Sequence, residues 1–163
     1  MSFAPLLDAP LAVQVHVAAV VPAALIGAFL LANPKGTPVH RRLGRVWFVL
    51  MIATSISSFF IHGINLFHGF SPIHLISAFV LFAAWRAFGA ARRGDIRAHR
   101  SGVVSIYVWG IGVAGLFTLL PARIMGQLAF SGGASSLFVI TLISAILALL
   151  LPLVRRWRRE RAF

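Results

Sequence analysis

Five apolar stretches, at 11–32, 46–64, 73–91, 102–120 and 136–154, dominate this chain of 163 residues and leave few soluble folds open to it. Each is close to the ~20 residues a helix needs to cross the hydrocarbon core of a bilayer. Soluble domains carry roughly 25% charged residues, whereas this chain carries 11%. A spanning segment must satisfy all of its backbone amides internally, which leaves helices or closed barrels. Barrel strands would alternate apolar and polar residues over ~10 positions, and these runs do not alternate. The expected fold is therefore all-α: a polytopic transmembrane helical bundle of about five helices. The first four form its core and the fifth packs outside them or against a partner, in a single integral membrane domain over residues 1–163.

Orientation follows from the basic residues. Lys35, Arg41, Arg42 and Arg45 follow the first stretch. Arg86, Arg92, Arg93, Arg97 and Arg100 lie at the end of the third and in the link after it, and Arg155, Arg156, Arg158, Arg159 and Arg161 form the tail. Fourteen of the fifteen basic residues thus share one side, and Arg123 alone falls on the other. The expected location is a bacterial cytoplasmic membrane, with the amino terminus outside and the tail inside. The amino terminus lacks the basic start of a signal peptide and carries Asp8, so it is expected to be retained. The net charge of +12 is spread over short links, where it meets anionic headgroups; nucleic acid is not an expected partner. The chain has no cysteine, which excludes disulfides and thiolate metal sites.

Breakers support the same map. Asn33-Pro34-Lys35-Gly36-Thr37-Pro38 interrupts any helix, Ser71-Pro72 opens the third stretch, and Pro121 closes the fourth. Pro22 lies inside the first stretch. Gly110, Gly112 and Gly115 spell G-x-G-x-x-G, but with no strand before them they suit helix packing rather than a dinucleotide. Of Trp47, Trp85, Trp109 and Trp157, two or more are expected as interface anchors.

The histidines carry the functional reading. His16, His62 and His74 each lie 17 or 18 residues from the polar edge of their stretch (Asn33, Arg45 and Arg92), ~25–27 Å at helical rise. Three helices therefore bring an imidazole to one depth near the outer face, with His68 in the outer link able to reach it. Thr54, Ser58, His62 and Asn65 share one helical face, and polar faces in a membrane bundle turn inward. At the opposite end, His40 stands before Arg41-Arg42 and His99 before Arg100, where contact with headgroups is the simpler account.

These residues resemble a large, poorly characterised bacterial family of small predicted membrane proteins, one of the domains of unknown function. The likeness lies in His16, His40-Arg41-Arg42-Leu43-Gly44-Arg45, Pro72-Ile73-His74-Leu75, Ala98-His99-Arg100 and Arg123. It covers most of 11–126 and leaves the last stretch outside, departing at Ser101-Gly102-Val103, where a bulkier continuation is expected. The layout of His16 and His74 at one end and His40 and His99 at the other also resembles the two-haem membrane cytochromes of the b561 type. That resemblance implies haem b held by paired histidines.

Three functions compete. In the first, a membrane electron-transfer protein holds haem b through His16 and His74, with a second haem at His40 and His99. Arg123 pairs with propionates outside, and Arg42 and Arg100 inside. In the second, His16, His62 and His74 bind zinc or another transition metal, with one coordination position open for catalysis; no carboxylate lies in any span to assist. In the third, the chain is an accessory subunit of a larger membrane complex. Its expected partners are the lipid bilayer, other membrane subunits or a quinone.

Overall fold

A computed structural model describes residues 4–61 and 72–118. The elements are α1 (Ala4–Leu7), α2 (Leu11–Ala32), α3 (Pro38–Ser58), α4 (Pro72–Arg92) and α5 (Ile96–Ile106). A π-helical segment, Tyr107–Val113, then leads into α6 (Ala114–Thr118). The described residues are all helical, with no strand among them. The chain divides into two compact units, Ala9–Ile111 and Met1–Asp8 with Gly112–Phe163. All four described histidines lie in the first. The expected fifth stretch, 136–154, lies outside the described residues.

Helix starts are set by caps rather than by hydropathy. The Thr37 hydroxyl accepts the His40 amide at 3.1 Å, and Pro38 takes the first helical position, where its missing N–H costs nothing. Helix α3 therefore begins at Pro38 rather than at residue 46, and His40 sits in its first turn. Its end is tightened by bonds from Phe59 to Ile56 and from Phe60 to Ser57, so α3 stops at Ser58, short of His62. Asp95 accepts the Ala98 amide at 2.9 Å and starts α5 at Ile96, which places His99 on the helix instead of before it. Between α4 and α5, Gly94 takes φ +77°. Its amide bonds to Ala91 while that of Asp95 bonds to Ala90, a closure only a left-handed residue permits without strain.

Helix α3 packs on α2 and α4, and α4 packs on α5. The Tyr107 hydroxyl, just past the end of α5, donates to the Ala24 carbonyl of α2 at 3.1 Å and so ties the two together. Small residues allow close approach. Ala19, Ala23 and Gly27 form the buried face of α2, and Gly102 stands so near Ala87 that an added Cβ would lie 2.7 Å from the Ala87 Cβ. At the waist, Trp47, Met51, Val80 and Ile106 are fully enclosed.

The outside of this unit is apolar. Leu25, Val49, Ile56, Leu75, Phe82 and Trp85 are exposed, an arrangement that water penalises and lipid does not. Two helices, Leu11–Ala32 and Ile73–Arg92, are long and apolar enough to cross a membrane. Only 22% of the most apolar window of the first is buried, too little for the core helix of a soluble domain. Of the four tryptophans, Trp47 is 1% exposed and belongs to the core, whereas Trp85 and Trp109 are exposed. Gly110 lies in close packing, where an added Cβ would fall 2.9 Å from Val80 Cγ2 and 3.1 Å from Met51 Cε.

Candidate functional site

The described histidines fall into two groups. At the end of α2 far from the arginines, His16 packs on the last turns of α3. Its Nδ1 lies 3.0 Å from the Thr54 carbonyl and 3.2 Å from Ser57 Oγ. A carbonyl oxygen can only accept, and the Ser57 hydroxyl donates its own proton to the same carbonyl at 3.0 Å. The His16 proton therefore sits on Nδ1, and Nε2 carries the lone pair. His74, in the first turn of α4, is 4% exposed, and its ring centroid lies 5.8 Å from that of Phe59.

Hydroxyls fill the space between these helices. Thr54, Ser55, Ser57 and Ser58 of α3 and Ser77 of α4 are all buried. Ser58 and Ser77 bond to each other across the seam, and Ser77 also donates to the Ile73 carbonyl at 2.9 Å. The Thr54 hydroxyl alone in this group is enclosed with no hydrogen-bond partner. Buried hydroxyls at membrane depth are costly unless bonded, so this cluster is polar by design.

At the basic end the pattern repeats with fewer partners. His99 Nδ1 lies 3.0 Å from the Ala87 carbonyl, which again fixes the proton on Nδ1 and leaves Nε2 as the acceptor. Phe48 lies against its ring, with centroids 6.3 Å apart. His40 Nδ1 is enclosed without any hydrogen-bond partner. Burial, followed by the charges of His99 and Lys35, holds the His40 pKa below its usual 6.5.

His16 and His74 both lie against the end of α3 far from the arginines, and His40 and His99 lie at its basic end. The three-histidine set of His16, His62 and His74 includes His62, which lies outside the described residues; among the described residues no group of three His, Asp or Glu is placed to hold a metal ion. His62, His68, Asn65 and Arg123 lie outside the described residues. Sequence reasoning missed the waist. Gly27 receives Tyr107 and Trp47 so closely that a Cβ there would lie 2.5 Å from Tyr107 Cε2 and 2.6 Å from Trp47 Nε1. A glycine in the middle of an apolar helix, opposite the chain's one tyrosine, was the available signal.

No curated protein and no solved structure matches the chain, so the likeness to b561-type cytochromes has no matching relative behind it. The family match is wider than the motifs alone suggested, because it extends through the fifth apolar stretch. With residues 13–153 matched to the family described as "Predicted membrane protein (DUF2306)", the chain belongs to that family.

Proposed function

We propose that this membrane protein binds b-type haem through histidines on non-neighbouring helices and passes electrons within the bilayer. The contact order α2–α3–α4–α5, closed by the Tyr107 bond to α2, makes α2 and α4 one diagonal and α3 and α5 the other. His16 and His74 occupy the first diagonal; His40 and His99 occupy the second. Ligands on a diagonal can clamp a flat group inside a bundle, as facing side chains do in other helical cofactor sites.

The observation that carries the reading is the inner pair. His40 keeps an enclosed nitrogen with no protein partner, and the Nδ1 proton of His99 is committed to a carbonyl. Ligating histidines are oriented in this way, with the second nitrogen giving its proton to a backbone oxygen. His16 has the same lock at the outer end. The donor set is neutral imidazole without carboxylate, which suits haem iron better than a hydrolytic metal. When bound, haem would supply one-electron chemistry; the helices hold its ligands, and the apolar waist keeps water from between the two ends. A cavity of about 190 Å³ beside His40 is walled by α2, α3 and their link, so a haem between His40 and His99 requires α3 and α5 to part. The basic ends face the cytoplasm in this proposal, supported by the side on which the arginines gather.

The test is an absorption spectrum of the purified full-length protein from haem-supplemented cells, with haem counted per chain. A Soret band is expected in the parent, and His99→Ala is expected to remove the inner share of the haem while the protein still inserts. A parent protein with no Soret band ends this reading.

A further inference from the structure

We infer that the 190 Å³ cavity at the basic ends of α2 and α3 seats an anionic phospholipid. Its walls are Phe29 and Leu30 of α2 and Pro34 and Val39 of the link and α3, with Asn33, Thr37 and His40 completing it. Two of those polar groups are already engaged. The Asn33 side chain donates to the Phe29 carbonyl at 2.8 Å, and the Thr37 hydroxyl accepts the His40 amide. The cavity therefore offers mostly apolar surface, with His40 Nδ1 as the one lining nitrogen that has no partner. An apolar cavity of ~150 Å³ accepts a benzene-sized group; this one has room for the first carbons of an acyl chain and none for a whole headgroup.

The charge at its mouth selects the headgroup. Lys35 follows Pro34 directly, Arg41 follows His40, and both are exposed. Lys35 Nζ donates to the Leu31 carbonyl at 2.8 Å, which holds the ammonium charge at the end of α2. The amino end of α3 adds its own partial positive charge beside them. Asp95, the acid described at this end of the unit, is engaged by the Ala98 amide as the cap of α5. An apolar slot beside a cationic rim, on a protein with a lipid-facing exterior, matches a phosphodiester carrying acyl chains. A soluble phosphate would satisfy the rim and leave the slot empty.

Native mass spectrometry of the full chain released from detergent counts bound lipid. The probes are phosphatidylglycerol, phosphatidylcholine and inorganic phosphate. One phosphatidylglycerol per chain is expected to be retained in preference to phosphatidylcholine. Removing two cations by Lys35→Gln with Arg41→Gln should weaken its retention roughly 30-fold. Arg92→Gln with Arg93→Gln, which removes the same charge at the end of α4, should leave it within about twofold. Val39→Trp, placing an indole at the exposed wall, should also expel the lipid with the charge intact. Equal losses in the two charge-removed proteins would overturn the proposal in favour of diffuse attraction. Displacement of the lipid by phosphate, or retention unchanged by Val39→Trp, would overturn it as well. None of these outcomes depends on whether haem binds.

Discussion

The two histidine groups sit in the same bundle and differ in what surrounds them. At the outer end, His16 meets a carbonyl and a hydroxyl, and four buried hydroxyls of α3 with Ser77 of α4 make the seam polar. At the basic end, His99 has one carbonyl and His40 Nδ1 has no partner at all. At the end far from the arginines α3 supplies the imidazole of His16 with partners, whereas at the basic end an enclosed nitrogen goes without one, which costs free energy unless something bound there supplies the missing bond.

Between the groups lies the waist, and it sets the distance that separates them. Gly27→Ala would press a methyl into Tyr107 and Trp47, both ring systems with little freedom to retreat. Overpacking of this kind costs about 1–3 kcal/mol, the largest effect expected from one carbon. Thermal unfolding in detergent should show the loss, and Tyr107→Ala in the same chain should recover part of it by opening space. If Gly27→Ala unfolds at the parent temperature, the waist is looser than these contacts require, and the two ends are not held apart by it.

The outer group can be tested by two substitutions of opposite sign. Ser57→Ala removes a bond to His16 and should destabilise by about 0.6 kcal/mol, the average for hydrogen bonds between membrane helices. Thr54→Val removes an enclosed hydroxyl without a partner and should stabilise by a few tenths of a kcal/mol, roughly, because an unmade bond is lost with it. Denaturant unfolding in mixed micelles resolves the difference in sign. Should Thr54→Val cost as much as Ser57→Ala, the threonine hydroxyl is bonded to something bound there, and the outer group is better satisfied than the contrast with His40 assumes.

The fold class was legible because apolar length is a direct physical requirement of a bilayer, and residues 11–32 needed nothing more. Helix starts were harder to read. Asn33 to Pro38 registered as an interruption, yet Thr37-Pro38 begins α3, as Asp95 begins α5, with arginines carried on turns that extend beyond the apolar core. His40 and His99 consequently stand on α3 and α5 rather than in links, which is what places them on one diagonal. The tautomers were not legible, since they depend on carbonyls 38 and 12 residues away in sequence. Which tryptophan is buried was not legible either, since Trp47 fills a recess left by Gly27 on a neighbouring helix.

The smallest effect expected concerns His40, and it sharpens the contrast with the satisfied outer group. Burial lowers its pKa from 6.5, and the neighbouring charges of His99 and Lys35 add to this, with Arg41 and Arg42 following it on the same turn. A depressed pKa means that the unfolded chain binds a proton at a pH where the folded protein does not. Stability therefore rises with pH across the interval from the depressed value to 6.5, and is lost as acidification passes down through 6.5. Above that pH the residue is neutral in both states and contributes no slope. Because His40 is partly exposed, solvent screens the effect, and a shallow decline in unfolding temperature on acidification is expected. His40→Gln cannot take up a proton, so the decline should flatten relative to the parent measured in the same buffers. Equal slopes in the two proteins would mean that water reaches this ring as freely in the folded state as in the unfolded one, and the unpartnered nitrogen would no longer distinguish the basic end from the outer one.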